Sequence, residues 1–303
     1  MSLKKNQKKS QSKIAVLLAT YNGEKYLRSQ IDSILKQNDV DIQIVISDDK
    51  SSDESLEIIQ SLCKQHNNVS CINKNRMGGP AKNFYYLINH IDHKHFDYIA
   101  LSDQDDIWPD SRLSHAIEQL EKQNADAYSS DVIAIEEDGK FIKIIKKSQP
   151  QKKYDYFFET PGPGCSFVMS TKYVKYLKNK FQSNPALNKF PYHDWLIYSL
   201  ARQANFKWYI DDAPNLFYRQ HRNNFMGANY GFVSRIKRIN RILFGEYYRE
   251  LLLLNSYLQP KTKLNFYRVW FFIINFIQTR RKLHHAILMV PFLMILSIQK
   301  NDV

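Results

Sequence analysis

Cysteine is scarce in this chain: three residues among 303, at Cys63, Cys71 and Cys165. So small and odd a set argues against a disulfide scaffold and fits a reducing compartment. The spacing of the three also differs from that of a zinc site. The first ten residues hold four lysines with no apolar stretch behind them, which argues against a secretory signal peptide.

The common glycine-rich nucleotide motifs are missing as well. No Gly-x-x-x-x-Gly-Lys-Ser/Thr segment is present, which excludes a phosphate-binding P-loop. No Gly-x-Gly-x-x-Gly follows the first predicted strand, which argues against a nicotinamide-dependent enzyme. No apolar run reaches the roughly 18–20 residues that a membrane-spanning helix needs.

What is present is the composition of an ordinary globular protein, with 44% apolar and 24% charged residues, and a net charge of +13. Residues 1–13 carry five lysines and no acid, and residues 230–303 carry 12 basic against three acidic residues. The stretch between them, 14–229, is almost neutral, with 26 basic and 27 acidic residues. A neutral body argues against a nucleic-acid-binding module, because such a surface usually concentrates positive charge on the folded domain. We therefore expect a disordered basic leader (1–13), a globular domain (14–229) and a basic C-terminal region (230–303).

Short apolar runs alternate with helical patterns through the first 120 residues. Strands are predicted at 14–19, 42–46, 69–72 and 96–101. Amphipathic helices are predicted between them, one of which starts at a capping box formed by Ser51 and Glu54. This alternation predicts an α/β fold with a doubly wound, mostly parallel sheet. Polar clusters at 20–22, 48–49 and 103–106 each follow a strand, so they should converge on one edge of that sheet, where ligands bind.

The second half of the domain is mixed. Residues 137–140 have the pattern of a hairpin turn, and Pro161–Gly164 opens a loop before the apolar run 165–169. A helix is predicted at 195–204 and strands at 206–210 and 216–218.

Three carboxylates crowd the turn after the fourth strand: Asp103, Asp105 and Asp106. Like charges so close repel unless a cation or hydrogen-bond donors compensate them. A set of oxygen ligands suits Mg²⁺ or Mn²⁺. The alternative is an acidic turn that only caps the next helix.

Five motifs in order resemble family 2 glycosyltransferases, which have the GT-A fold, and in particular the bacterial rhamnosyltransferase-like members that build surface polysaccharides such as capsule and O-antigen. The resemblance covers about residues 12–229 and rests on Ala19-Thr20-Tyr21-Asn22, Asp48-Asp49-Lys50-Ser51-Ser52-Asp53, Asp103-Gln104-Asp105-Asp106, His193-Asp194-Trp195 and Tyr218-Arg219-Gln220-His221. It implies an inverting, metal-dependent transfer from a nucleotide-diphosphate sugar to a saccharide or lipid-linked acceptor. Lys50 and Arg222 stand where relatives commonly have glycine.

The resemblance also implies roles for individual residues. It implies nucleotide contacts by Thr20, Tyr21, Asn22, Asp48, Asp49, Arg76 and Asp103. It implies that Asp103, Asp105 and His221 hold Mn²⁺ or Mg²⁺, and that Asp194 is the catalytic base. Thr20 could instead only end its strand, Asp48 or Asp49 could cap the following helix, and Asp194 could be the N-cap of a helix that begins at Trp195.

The remaining candidate residues would contact the donor or the acceptor. They are Asp106, Trp108, Gly164, Cys165, His193, Trp195 and Arg219. Arg219 could pair with phosphate in a bidentate manner, and the two tryptophans could stack on sugar rings. Packing in the core is the alternative for each tryptophan, and His193 is expected as a neighbour of the base rather than an acid.

The basic C-terminal region contains two apolar segments, 266–277 and 286–298, separated by Arg280, Arg281 and Lys282. Two amphipathic helices on the inner face of the cell membrane, with arginines toward anionic headgroups, would fit this pattern. The alternative is that they pack on the catalytic domain or on a second subunit in a homo-oligomer. Two other functions compete: a sugar nucleotidyltransferase, which would want a glycine-rich phosphate loop, and a non-catalytic binding module for nucleotide sugars or nucleic acid.

Overall fold

The fold is that of a computed structural model, which describes residues 11–73, 75–221, 245–258 and 269–288. Strand β1 begins the described chain, and its strands are β1 (Ser12–Thr20), β2 (Val40–Asp48), β3 (Val69–Asn73), β4 (Tyr98–Ser102), β5 (Ala127–Ser130), β6 (Val132–Ile135), β7 (Phe141–Ile145), β8 (Val168–Ser170), β9 (Trp208–Asp211) and β10 (Phe217–Arg219). The helices are α1 (Leu27–Leu35), α2 (Ser55–Gln65), α3 (Pro80–His90), α4 (Arg112–Gln123), α5 (Thr171–Ser183), α6 (His193–Gln203), α7 (Glu246–Leu258) and α8 (Val269–Thr279). The predicted leader 1–13 and the segment 286–298 lie largely outside the described residues, as does Arg222.

Seven strands form one sheet in the order β3-β2-β1-β4-β8-β5-β9. Every neighbouring pair is parallel except those that involve β8, which runs antiparallel to both β4 and β5. A second sheet, β10-β6-β7, contains the predicted hairpin as the antiparallel pair β6 and β7. The prediction of a doubly wound, mostly parallel α/β sheet is therefore confirmed.

The central strand β1 is buried on both faces of the sheet. Its residues alternate between two hydrophobic clusters, with Ala15 and Leu17 in one and Ile14, Val16 and Leu18 in the other. Strands covered on both sides read as continuous apolar runs, which is why the sequence pattern predicted this strand well.

The register brings the polar ends of three strands together. Thr20 at the end of β1 pairs with Asp48 at the end of β2, and Leu18 of β1 pairs with Ser102 at the end of β4. The acidic turn 103–106 therefore starts beside the loop that follows β1.

The predicted capping box at Ser51 and Glu54 is wrong. Helix α2 begins at Ser55, and the Ser51 hydroxyl donates to Asp48 Oδ1 at 2.5 Å instead of capping a helix. A serine side chain that finds a strong acceptor nearby is lost to the helix end, and the sequence spacing alone does not reveal that acceptor.

The C-terminal helix α7 belongs to the core of the body. Tyr248, Leu251, Leu254 and Leu258 are buried in the same cluster as the apolar side chains of α6. Among the described residues, no helix has the length and apolar character needed to cross a bilayer.

Candidate active site

Gln104 joins the loop after β1 to the acidic turn after β4. Its Oε1 accepts from the Thr20 hydroxyl at 2.6 Å and from the Tyr21 N–H at 2.8 Å, and its Nε2 donates to the Tyr21 carbonyl at 3.1 Å. Thr20 is only 2% exposed, so its hydroxyl serves this connection. Gln104 stood in a recognised motif but was not singled out, because nothing in the sequence shows which side chain bridges two loops.

Gly23 makes this contact sterically feasible. A Cβ at residue 23 would stand 2.5 Å from Gln104 Oε1, closer than real Cβ atoms tolerate, and 3.0 Å from Thr20 Oγ1, which is a tight contact. The neighbouring Asn22 has φ of +47°, and its side-chain oxygen accepts from the Ser52 N–H at 2.8 Å. The loops after β1 and β2 are thereby held side by side.

Asp48 organises the turn after β2. The side chain is fully buried, and Oδ2 accepts from the Ser51 N–H at 2.8 Å while Oδ1 accepts from the Ser51 hydroxyl. The Ser51 hydroxyl also accepts from the Asn22 N–H at 2.9 Å. Lys50, which stands where relatives commonly have glycine, adopts φ of +61°, so the turn keeps the left-handed geometry that glycine would give.

Asp49 binds the loop that leads into α3. Its carboxylate accepts from the backbone N–H groups of Met77, Gly78 and Gly79, and the contacts to the two glycines are 2.8–3.1 Å. Both glycines have positive φ, +85° and +123°, which allows successive N–H groups to point at one carboxylate. The suggestion that Asp49 caps the following helix α2 is wrong, because its carboxylate accepts from the loop before α3 and not from the N–H groups of α2.

Arg76 and Tyr21 form the exposed rim of this corner. The Arg76 guanidinium lies over the Tyr21 ring, 5.3 Å from its centroid, and Tyr21 is 42% exposed. A cation stacked on an exposed aromatic ring can meet an anionic ligand from solvent.

The acidic turn carries carboxyl groups that are costly to charge. Burial and the Asp105 charge raise the pKa of Asp103 to about 7. Burial, with the charges of Asp105 and Asp103, raises the pKa of Asp106 well above its ordinary value. Asp106 is 1% exposed, and its Oδ2 has no hydrogen-bond partner among the described residues.

These features fit a divalent cation. A buried carboxylate oxygen without a donor, next to two further carboxyl groups, is an arrangement that a metal would compensate. Ligand atoms of Asp103, Asp106 and Cys165 lie within 4.8 Å of one another. Burial raises the pKa of the Cys165 thiol well above its ordinary value, so the thiol is neutral and the carboxylates are the better ligands.

His221 contacts the same turn from the opposite side. Its Nε2 lies 2.7 Å from Asp105 Oδ2, and its ring stacks on Tyr26 with centroids 5.0 Å apart. The structure therefore brings the side chains of Asp105 and His221 into direct contact.

Arg219 supports the backbone of the acidic turn. Its N–H donates to Asp106 Oδ1 at 3.2 Å, and its Nε donates to the Asp105 carbonyl at 3.0 Å. The guanidinium also donates to the Glu137 carbonyl and lies over Tyr26, and the residue is only 7% exposed. The predicted bidentate contact with phosphate is wrong for this arrangement, because the guanidinium is committed to main-chain carbonyls.

Asp194 lies in the first turn of α6 and is partly exposed. Its Oδ1 accepts from the Trp195 N–H at 2.8 Å, and the helix begins at His193 with Tyr192 as the N-cap. The alternative of Asp194 as the N-cap is therefore wrong. Burial raises the pKa of Asp194 to about 6, opposed by the Trp195 N–H and the Lys147 charge. The preceding residue, His193, lies over Gly164, and the ligand atoms of the next residue, Cys165, and of Asp103 and Asp106 are within 4.8 Å of one another. The first turn of α6 is therefore close to the acidic turn.

His193 is a packing residue. Its ring lies against Phe84, with centroids 4.2 Å apart, and a Cβ at Gly164 would stand 2.1 Å from Nε2. Burial lowers the pKa of His193 to about 3, so the imidazole is neutral near pH 7. This agrees with the expectation that His193 is a neighbour of the base and not an acid.

The two tryptophans are in the core, so the prediction that they stack on sugar rings is wrong. Trp108 is 2% exposed and packs under the Arg112 guanidinium, 3.6 Å from the ring centroid. Trp195 is 5% exposed and donates from Nε1 to the Tyr156 carbonyl at 2.9 Å. Arg112 was missed by sequence reasoning, although it is buried and donates to the Cys165 carbonyl at 2.6 Å.

The arginines of the C-terminal region are buried on the body. Arg281 Nη1 lies 3.4 Å from Asp155 Oδ2, and its N–H donates to Glu159 Oε1 at 2.6 Å. Arg280 donates to the Tyr247 hydroxyl at 2.8 Å. The prediction that these arginines face lipid headgroups is wrong, because two buried carboxylates draw Arg281 inward.

Comparison with known proteins gives one family match. The sequence profile of "Glycosyl transferase family 2" matches residues 15–178. A curated relative from Shigella flexneri, the dTDP-rhamnosyl transferase RfbG, is 42% identical over 77% of this chain and 81% of its own length. An Escherichia coli relative, the UDP-Glc:alpha-D-GlcNAc-diphosphoundecaprenol beta-1,3-glucosyltransferase WfaP, is 26% identical over 60% of this chain and 68% of its own length.

Among solved structures, S. aureus TarS 1–349 in complex with UDP-GlcNAc superposes with a TM-score of 0.54. The match covers 96% of this chain and 92% of that chain at 15% sequence identity, so it speaks for the fold alone. It confirms the expected GT-A-type architecture.

Proposed function

The chain belongs to glycosyl transferase family 2, and on this basis we propose that it transfers rhamnose from dTDP-rhamnose, with inversion, to a lipid-linked saccharide in bacterial surface polysaccharide synthesis. The observation that carries the proposal is the closeness of the first turn of α6 to the acidic turn: His193, next to Asp194, lies over Gly164, and Cys165 lies beside Asp103 and Asp106. A base facing a cluster of carboxylates is what a displacement at a sugar diphosphate needs. The sugar and nucleotide are inferred from the relative that is 42% identical.

The nucleotide end of the donor would lie at the corner built by the loops after β1, β2 and β3. Tyr21 and Arg76 are exposed there, and Thr20, Asn22, Asp48 and Asp49 shape the floor by their contacts within the chain. We assign Arg76 to the diphosphate, since its guanidinium is at the rim and can accompany an entering anion.

A Mn²⁺ or Mg²⁺ ion held by Asp103, Asp105 and His221 would neutralise the charge that develops on the leaving diphosphate. Asp106 follows Asp105 in the turn and is 1% exposed, and its Oδ1 accepts from the Arg219 N–H at 3.2 Å. We assign Asp106 to orienting the metal ligands and the donor sugar. Gly164 and Cys165 line the floor between this turn and α6, and Cys165 serves there as a neutral thiol.

Asp194 would accept the proton of the attacking acceptor hydroxyl. A pKa of about 6 leaves its carboxylate ionised near pH 7 while keeping it basic enough to take a proton. One base and one direct displacement at the anomeric carbon give inversion of configuration.

We further propose that the catalytic part is 14–229 and that 230–303 brings it to the inner face of the cell membrane. The described part of this region exposes a row of apolar side chains: Ile273, Ile274, Ile277, Leu283, Ile287 and Leu288. Since the arginines are buried, the contact would be made by these apolar side chains. A relative whose name specifies a diphosphoundecaprenol-linked acceptor supports a lipid-borne substrate.

The experiment for the activity is release of dTDP from dTDP-rhamnose in the presence of Mn²⁺, with membrane lipid extract as acceptor. We expect turnover with Mn²⁺, none with excess EDTA, and loss of metal-dependent donor binding in Asp105→Ala. If the donor binds equally well with and without Mn²⁺, the assignment of a metal site is wrong. If the protein turns over UDP-GlcNAc but not dTDP-rhamnose, the proposed donor is wrong.

The membrane contact is tested by flotation with phosphatidylglycerol-containing liposomes. Ile274→Asn with Leu288→Asn should reduce binding, whereas raised salt should have little effect on an apolar contact. If raised salt abolishes liposome binding and these substitutions do not reduce it, the contact is made by the basic residues instead. A concentration-dependent dimer lost with the same substitutions would assign the surface to a second copy of the chain.

A further inference from the structure

Helix α7 touches the first turn of α6 on both sides of Asp194. On one side, the indole of Trp195 lies parallel to the Tyr247 ring, with centroids 5.7 Å apart and an angle of 9° between the planes. Trp195 also contacts the body of the protein, because its Nε1 donates to the Tyr156 carbonyl at 2.9 Å. The residue that follows Asp194 is therefore fixed between the body and α7.

The second contact is made by Tyr192, the N-cap residue of α6. The Tyr192 hydroxyl donates to Glu250 Oε1 at 2.9 Å. Tyr247 and Glu250 are three residues apart on α7, and Tyr192 and Trp195 are three apart around the start of α6. Residues at this spacing share one face of a helix, so the two pairs form a single contact surface.

Tyr247 is itself anchored by polar contacts. Its hydroxyl donates to the Phe158 carbonyl at 2.6 Å and accepts from Arg280 Nη2 at 2.8 Å. The next residue, Arg281, pairs with Asp155, which also accepts from the Tyr198 hydroxyl at 3.0 Å and from Arg202 at 2.8 Å. The segment after α8 thus holds both the Tyr247 ring and the second turn of α6.

The orientation of the Asp194 carboxylate depends on this turn. Its Oδ1 is bonded to the Trp195 N–H at 2.8 Å, a contact that exists only while the first turn keeps its shape. First turns of helices lack internal partners for their N–H groups and fray easily. We propose that α7 positions Asp194 for catalysis through Tyr247, which stacks on Trp195, and Glu250, which accepts from Tyr192.

This inference rests on the proposed function, in which Asp194 takes the proton of the acceptor. Tyr247 and Glu250 are positioning residues, since one acts through Trp195 and the other through Tyr192 at the start of α6. A misplacement of about 1 Å of a catalytic group can cost roughly 100-fold in rate. The proposed donor site is at the strand ends, and Tyr247 and Glu250 are not among its residues, so donor binding should not change.

The test compares two disruptive variants with their conservative counterparts. Tyr247→Leu removes the ring that stacks on Trp195, and Tyr247→Phe keeps that ring. Glu250→Ala removes the oxygen that accepts from Tyr192, and Glu250→Gln keeps an acceptor oxygen. Arg249→Ala, at an exposed position of the same helix, is the matched control. With dTDP-rhamnose, kcat should fall roughly 5- to 50-fold in the disruptive variants, and the donor Kd should stay within about twofold. The conservative variants should recover most of kcat.

Two further measurements separate positioning from a general loss of stability. Amide exchange at residues 193–196 should speed up in Tyr247→Leu, measured at a temperature well below its Tm. Tyr192→Phe combined with Glu250→Ala should lower kcat no more than either change alone, because both remove the same hydrogen bond.

The proposal is overturned if Tyr247→Leu and Glu250→Ala lower Tm but leave kcat within twofold of the parent, since α7 would then only stabilise the fold. A loss of donor affinity in step with kcat would overturn it too. Asp194→Asn is measured in the same assay. If this variant retains full turnover, the proposed base is wrong. If it is inactive while Tyr247→Leu is active, only the proposed role of α7 is rejected.

Discussion

His193 lies over Gly164 so closely that any side chain at residue 164 would meet its ring, since a Cβ there would be 2.1 Å from Nε2. The contact joins the short helical turn at Gly164–Ser166 to the first turn of α6, next to Asp194. The glycine therefore sets how closely the candidate base approaches the floor of the site.

Gly164→Ala should push the His193 ring away and shift the first turn of α6. Overpacking of this kind costs about 1–3 kcal/mol, and we expect a lower Tm together with a reduced kcat. Combining it with His193→Ala frees the space and should restore part of both. Gly139→Ala, at a glycine with open surroundings and φ of +91°, is the control for backbone strain without crowding. Unchanged kcat and Tm in Gly164→Ala would show that the His193 ring moves aside freely.

Asp194→Asn should bind donor normally and transfer little, because a positioned base contributes roughly 10²–10⁴-fold to the rate. Titration calorimetry with dTDP-rhamnose and a dTDP-release assay measure the two properties separately. Near-normal turnover of the variant would remove Asp194 from the mechanism.

The pH profile of the native enzyme gives an independent check on Asp194. Burial raises its pKa from 3.8 to about 6, and the base works only when deprotonated. The value of kcat/KM should therefore be constant above about pH 7 and fall tenfold per pH unit below about pH 6. A profile that stays flat down to pH 5 would contradict the pKa and the role together.

Asp106→Asn should stabilise the metal-free protein near neutral pH. The pKa of Asp106 is raised on folding, so the folded state holds its proton more tightly and loses stability as pH rises above the ordinary value of 3.8. An uncharged amide avoids that loss, and the gain in Tm measured with EDTA should be larger at pH 7.5 than at pH 4.5. Mn²⁺ should raise the Tm of the parent more than that of the variant. Asp110→Asn, at an exposed position, should change neither value.

Asp49→Ala should loosen the loop that precedes α3. It leaves the N–H groups of Gly78 and Gly79 without their acceptor. Gly78 is exposed and Gly79 half-buried, so the cost should fall below the roughly 1–3 kcal/mol of a fully buried donor. A lower Tm and weaker donor binding are expected, with kcat at saturating donor less affected. Asp53→Ala, which loses a carboxylate in the same turn, is the comparison. If both variants bind the donor equally weakly, the effect comes from the stability of the turn and not from the contact of Asp49 with the loop before α3.

The strands were predictable because burial on both faces leaves a continuous apolar run, as in Ile14–Ala19, and the parallel order follows from the alternation with helices. The convergence of Thr20, Asp48 and Asp103 on one edge followed from that order alone. Helix starts were less predictable. Ser51 has the spacing of a cap, but its hydroxyl is bonded to Asp48, a competition that local sequence does not reveal.

The sequence by itself determined the family, the doubly wound sheet and the acidic turn, because all three depend on residue types at short spacing. Only the tertiary structure decided which polar side chains form hydrogen bonds within the protein and are therefore not available to a ligand. It bonds Asp49 to the loop 77–79, turns Arg219 toward main-chain carbonyls and buries Trp108 under Arg112. It also draws Arg281 into the body beside Asp155, which the excess of positive charge in the C-terminal region did not suggest. These outcomes rest on contacts between residues up to 126 positions apart, and such contacts depend on how the elements pack and not on local pattern.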